Sequence, residues 1–154
     1  MNNLEEIKNN AKKVWSGFAP LENLTGTAAP RLIKFANISK NQKILDVACG
    51  TGVVALTAAR TGANVFGSDL TPELLERAEE NNKLFKLNVK FTEADVEKLP
   101  YDDAFFDVVL SQFGHMFAPN PEKALSEMLR VLNQEEQLRF LLGHQSYLWV
   151  NFFK

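Results

Sequence analysis

Cysteine is nearly absent. The single one, Cys49, excludes an internal disulfide and fits a reducing, cytoplasmic setting. Histidine is almost as scarce, with two in 154 residues, and no Cys, His, Asp and Glu group has metal-ligand spacing. No nucleophile stands in sequence with a paired base. No apolar run is long enough to span a bilayer. The N-terminus, with Glu5, Glu6 and Lys8 among asparagines, does not read as a signal peptide. Neither sign of charge dominates. The 17 Lys and Arg against 19 Asp and Glu leave a net charge of -2, which offers no footprint for nucleic acid and no attraction to anionic membranes. Internal repeats and low-complexity segments are also missing. What is present is a chain 45% hydrophobic and 23% charged, enough for the core of one soluble domain.

One stretch organises the rest, Ile44 to Ala55. The apolar run Ile44, Leu45, Val47 and Ala48 predicts a buried strand. Gly50, Thr51 and Gly52 predict a tight turn, and the Ala-rich stretch from Val53 a buried helix. A strand, a glycine turn and a helix start make a nucleotide-binding corner, because the backbone can approach a ligand closely there. Gly50, Gly52 and Ala55 satisfy the dinucleotide fingerprint G-x-G-x-x-G/A, and Asp69 stands where that pattern expects its ribose-binding acid. Asp46 points elsewhere. It lies four residues before the first glycine, inside the strand, where a carboxylate is costly without a partner. A cationic ligand would be one. S-adenosylmethionine carries a sulfonium and an ammonium, whereas NAD presents a pyrophosphate.

Taken in order, the chain alternates strands and helices. Leu4, Ile7, Ala11, Val14, Trp15 and Phe18 recur at helical spacing, and Pro20 ends that helix. It is expected to pack on the core, or to act as a lid through Trp15 or Phe18. A second helix is predicted over about Ala28–Asn37, with Pro30 in its first turn. After the helix at Val53 to Arg60, Gly62 is a C-terminal cap. Val65 to Ser68 is a second strand ending at Asp69, and Thr71-Pro72-Glu73 caps a helix running to about Lys83. Further strands are predicted at Asn88–Thr92 and Phe105–Gln112, and a helix at Pro121–Leu132. The alternation predicts an α/β domain, a mostly parallel sheet with helices on both faces.

The stretch Ile44 to Gly52 resembles motif I of the class I S-adenosylmethionine-dependent methyltransferases. The likeness continues through Asp69, Ala94-Asp95-Val96 with Leu99-Pro100, and Phe106-Asp107-Val108-Val109, and ends at Glu127-Met128-Leu129-Arg130-Val131-Leu132. It spans roughly Trp15 to Leu132 and is closest in character to the ubiquinone/menaquinone-type small-molecule methyltransferases. The resemblance implies a three-layer Rossmann-like fold with S-adenosylmethionine as cofactor and S-adenosylhomocysteine as product. Cofactor binding would fall to Asp46, Ala48, Gly50, Gly52, Asp69, Leu70, Asp95, Val96 and Ser111. Asp69 would take both ribose hydroxyls, or else cap the helix before Thr71. Leu70 would pack on the adenine. Asp95 would accept from the adenine amino group, with Val96 supplying a backbone N–H; otherwise Asp95 is a loop acid. Cys49 is a small packed residue. Methyl transfer is an in-line displacement that needs alignment and exclusion of water more than an acid or base. His115 is the histidine placed for base duty, should the acceptor have to lose a proton.

The likeness breaks at Asn133. Relatives usually have Lys-Pro-Gly-Gly where this chain has Asn133-Gln134-Glu135-Glu136, followed by a tail crowded with Tyr147, Leu148, Trp149, Phe152 and Phe153. The codons AAC-CAG-GAG-GAA, with one A added in front, read AAA-CCA-GGA-GGA, which encodes Lys-Pro-Gly-Gly. Allowed codons from Gln137 onward then yield Thr-Ile-Ala-Phe-Ser-Thr-Trp-Pro-Pro-Glu-Leu-Phe-Val-Gly. The expectation is one domain over residues 1–154: N-terminal cap helices over 1–38, a core over 39–132, and an out-of-frame tail over 133–154 on a C-terminally truncated chain. Gln137 to Leu142 can still form the fifth strand. The strands expected beyond it would be missing, which would leave an open sheet edge, a route to a homodimer, with Tyr147 to Phe153 covering part of it.

Three functional readings follow. The first is methyl transfer to a small-molecule acceptor. The second is a cofactor-binding module, or a degenerate fragment, without independent catalysis. The third, a nicotinamide-dependent oxidoreductase, is disfavoured by Asp46.

Overall fold

A six-stranded sheet in the order β3-β2-β1-β4-β5-β6 forms the centre of the molecule. The computed structural model describes residues 3–142 and 146–150, with side chains to residue 133. The strands are β1 (Lys43–Val47), β2 (Asn64–Asp69), β3 (Lys90–Glu93), β4 (Phe106–Gln112), β5 (Leu132–Leu142) and β6 (Ser146–Val150). The first five run parallel. β6 turns back antiparallel on β5, Leu138 pairing with Val150 and Leu142 with Ser146. The border on that side is therefore β6 rather than the bare edge of β5. Of the aromatic tail, Tyr147, Leu148 and Trp149 lie in β6, whereas Phe152 and Phe153 fall outside the described residues.

The period of two along β1 sends successive side chains to opposite faces. Ile44 joins Val65, Val108 and Leu110 beneath α3 (Ala29–Phe35) and α4 (Val53–Ala59). Leu45 and Val47 join Phe106, Val109 and Met128 beneath α6 (Pro121–Val131) on the other side. This is the three-layer α/β architecture expected. The observed α4, α5 (Pro72–Leu84) and α6 match the predicted helices to within a residue or two at each end. The N-terminal helix is shorter than its apolar spacing suggests. α1 (Asn3–Trp15) hands over to a 3-10 helix, Ser16–Leu21, which contains Pro20 and Phe18, and then to the short α2 (Glu22–Gly26).

Two motifs that look independent in the sequence meet in space. Arg130 donates to the carbonyls of Tyr101 and Leu99, at 2.8 and 3.0 Å, and Glu127 accepts from the Leu99 N–H at 2.8 Å. The end of α6 thereby fixes the loop that leads from β3 to β4. β5 starts directly after α6 at Leu132, slips register once, and is regular from Gln137 against Val108.

Candidate functional site

A cavity of about 150 Å³ lies at the carboxyl ends of β1, β2 and β4. That is where open α/β sheets bind ligands. Gly50, Asp69 and Leu70 line one side, Ala94, Asp95 and Val96 the next, and Gln112, Phe113 and Gly114 the far end. Lys8, Ala11 and Trp15 of α1 face the same cavity, with Phe18 beside them. Trp15 packs on Phe117 with ring centroids 4.8 Å apart, and on Phe18 at 5.4 Å.

Asp69 is the best-held group on the wall. Its Oδ2 accepts from the Gly50 N–H at 2.8 Å and its Oδ1 from the Thr71 N–H at 2.9 Å. Thr71 occupies the N-cap of α5 with Pro72 in the first turn, as expected, although its side chain makes no capping bond. A carboxylate has about four acceptor positions. The Thr71 side chain and the Leu70 backbone also hydrogen-bond this carboxylate, so a ribose hydroxyl would share or displace those bonds on the cavity wall. Burial pushes its carboxyl above the usual aspartate value, against the pull of those N–H groups.

Of the residues singled out in the sequence, Ala48, Gly50, Asp69, Leu70, Asp95 and Val96 line the cavity. Asp46, Gly52, Ser111 and His115 are not part of its wall. Asp46 has the same face as Ile44 and meets α4 instead, where the Ala55 N–H donates to its Oδ2 at 2.9 Å. The helix backbone thus supplies one partner for the carboxylate that the sequence assigned to a ligand cation. Burial pushes this carboxyl to about 8, with the nearby Asp69 adding to the rise. Gly52 lies behind the turn: at φ 80° it holds a conformation side chains rarely adopt, and a Cβ there would stand 2.8 Å from the Phe91 ring.

His115 is buried and packs its Nδ1 3.1 Å from the Ser111 hydroxyl oxygen. The Ser111 hydroxyl donates to the Val47 carbonyl at 3.0 Å, so the imidazole is the donor at Nδ1. Burial lowers the His115 pKa, which keeps the ring neutral. The pair ties the ends of β1 and β4 together rather than facing an acceptor, because the chain turns at Phe113 and Gly114 and carries His115 beneath the wall. The base duty expected of His115 therefore has no support in its placement.

Several features of the wall carry no sequence signal. Ala48 and Phe113 hold positive φ, 53° and 67°, at the ends of neighbouring strands, and a Cβ on Gly114 would collide with Ala48. Strained backbone of this kind concentrates at ligand sites. Gln112 donates from Nε2 to the Thr25 carbonyl at 2.8 Å, while its Oε1 is buried without a hydrogen-bond partner. Among the described residues no group of Cys, His, Asp and Glu could hold a metal. No helix there is long and apolar enough to cross a membrane.

Residues 45–140 match the family described as "Methyltransferase domain". The chain belongs to the class I S-adenosylmethionine-dependent methyltransferases. An uncharacterized protein of Mycobacterium tuberculosis is 41% identical over 110 residues, covering 71% of this chain and 40% of that protein. The demethylmenaquinone methyltransferase of Thermus thermophilus is 39% identical over 104 residues, covering 66% of this chain and 47% of its own length. Among solved structures, a putative methyltransferase of Bacillus halodurans superposes with a TM-score of 0.70 at 30% identity, over 74% of this chain and 50% of that one. The chain spans about 40% of the length of the first curated relatives it matches. The match runs past Leu132 into β5, beyond the point where the sequence likeness breaks. Family membership removes the nicotinamide reading.

Proposed function

We propose that this chain holds S-adenosylmethionine in the cavity beneath α1 and supports transfer of its methyl group to a small, neutral acceptor. The observation that carries the reading is Asp69, fixed by the Gly50 and Thr71 N–H groups on the cavity wall. Bound there, the cofactor supplies an electrophilic methyl on a positively charged sulfur. The chain's own residues bind, orient and exclude water. Asp69 takes the ribose, Leu70 and Val96 flank the adenine, and Asp95 accepts from its amino group. Trp15, Phe18 and Phe117 make an apolar enclosure that keeps water from the reacting atoms. Gln112 is the candidate to hold the acceptor. A covered amide oxygen without a partner costs about 1–3 kcal/mol, which a hydroxyl or N–H of the acceptor would relieve.

Calorimetric titration with S-adenosylhomocysteine, with NAD as control, tests the cofactor half. The expected result is binding of the first alone, weakened about 10- to 100-fold in Asp69→Ala, the value of charge-assisted hydrogen bonds. A folded wild type that binds neither would overturn the reading. Demethylmenaquinone, which the Thermus relative's name gives as its substrate, is the first acceptor to assay. With an acceptor in hand, Gln112→Leu should raise its KM and leave the S-adenosylhomocysteine affinity within about twofold. Cofactor binding without transfer to any acceptor in a broad panel would favour the binding-module reading.

A further inference from the structure

Glu97 is a carboxylate with its side chain only 1% exposed, next in the chain to Asp95 and Val96. Its Oε1 accepts from the Asn120 N–H at 2.7 Å, just ahead of α6. Its Oε2 faces the Lys8 ammonium, also at 2.7 Å. The same ammonium reaches Asp95 Oδ2 at 2.6 Å, and Asp95 Oδ1 accepts from the Glu97 N–H at 2.9 Å. One lysine on α1 thus neutralises two adjoining acids, one of them on the cavity wall. Burial works against the Lys8 ammonium, yet its hydrogen bonds to Asp95 and Glu97 outweigh this and raise its pKa.

α1 has little else to hold it. None of its residues is buried, and Ile7 and Val14 are largely exposed. Its other attachments among the described residues include the exposed Lys12–Glu93 pair at 2.6 Å and the stacking of Trp15 on Phe117 and Phe18. Yet Lys8, Ala11 and Trp15 face the cavity. α1 thus supplies part of the wall of this cavity, and its placement bears on what the cavity admits.

We infer that Lys8 is a positioning residue for the cofactor: by bridging Asp95 and Glu97 it sets the adenine-side carboxylate and pins α1 over the site, so that entry and release of the cofactor follow the parting of this bridge. The inference rests on the cofactor reading above. A buried carboxylate that loses its cation is strongly disfavoured, so the bridge re-forms whenever α1 returns. The acids wait on the scaffold and the cation travels with the helix.

The test is release of S-adenosylhomocysteine, followed by stopped-flow displacement with excess S-adenosylmethionine, alongside thermal unfolding. Lys8→Met should release about tenfold faster or more, with Lys8→Arg within about threefold of wild type, since affinity changes of this kind fall mainly on the off-rate. Lys8→Met strands the buried Glu97 charge, so the double variant Lys8→Met with Glu97→Gln separates folding from gating. It should regain thermal stability and keep the fast release. Recovery of wild-type release together with stability would overturn the proposal and leave Lys8 a purely structural partner of Glu97. Unchanged release in Lys8→Met would overturn it as well. A folded wild type that binds no S-adenosylhomocysteine would remove the cofactor reading and this inference with it, an outcome visible before any variant is made.

Discussion

A strand interior is a costly place for a carboxylate, and Asp46 shows how this fold carries one. At 1% exposure, with a single backbone N–H donor, its proton is retained up to about pH 8. The folded chain therefore binds more protons than the unfolded chain between the ordinary aspartate value of 3.8 and about 8. Stability falls as pH rises through that window, at a slope approaching about 1.4 kcal/mol per pH unit for each such group. Asp69, also raised, adds to the same trend. His115 works the other way: its pKa is lowered on folding, so its share of stability is lost as pH falls below about 6.5. Asp46→Asn keeps an acceptor for the Ala55 N–H and removes the ionisation. Urea unfolding between pH 5 and pH 9 should show a clearly flatter decline for the variant, and parallel curves would disprove the assignment. At this scale the sequence revealed that Asp46 was unusual but not why. Its partner is nine residues on, and only the packing of α4 on β1 brings the two together.

Helices and strands were legible wherever periodicity ran long enough. β1, β2, β4, α5 and α6 follow from apolar runs, Pro at helix starts and the glycine turn. The 3-10 helix at Ser16–Leu21, α2 and the turn at His115–Phe117 are too short to impose a period, so nothing in the residues announced them. β5 was expected from Gln137; the pairing is indeed regular from there, but the strand begins at Leu132 because α6 runs straight into it. Turn sites carry the sharper tests. Gly114 lies where β4 leaves the sheet, and a Cβ there would collide with Ala48, itself at positive φ. Gly114→Ala should cost about 1–3 kcal/mol by overpacking. Gly17, where a Cβ meets nothing within 4 Å, is the control: Gly17→Ala should leave stability unchanged or raise it by up to about 1 kcal/mol. Equal effects of the two substitutions in chemical denaturation would show that the β4 turn is looser than its geometry states.

Across the whole molecule, stability is graded from centre to N-terminus. β1 and β4 are covered on both faces and contribute fully buried side chains such as Leu45, Val47 and Val109. α1 contributes none. The contacts that fix it join residues 87 and 89 positions apart, Lys8 with Asp95 and Glu97, which is why no local pattern revealed them. The reading of 133–154 as out of frame concerns the gene; the chain as it stands pairs β5 with β4 and β6. Coding DNA whose third bases forbid a continuing family-like frame would overturn that reading. The gradient itself is open to hydrogen exchange. Amides of β1 and β4 should exchange only through global unfolding, while those of α1 exchange through a local opening of far lower free energy. Saturation with S-adenosylhomocysteine should then slow α1 and the Gly50–Gly52 turn and leave α3, on the opposite side of β1 from α6, nearly unchanged. α1 amides as well protected as those of β1 without ligand would mean that the helix is part of the cooperative core, and that cofactor must reach the cavity by another route.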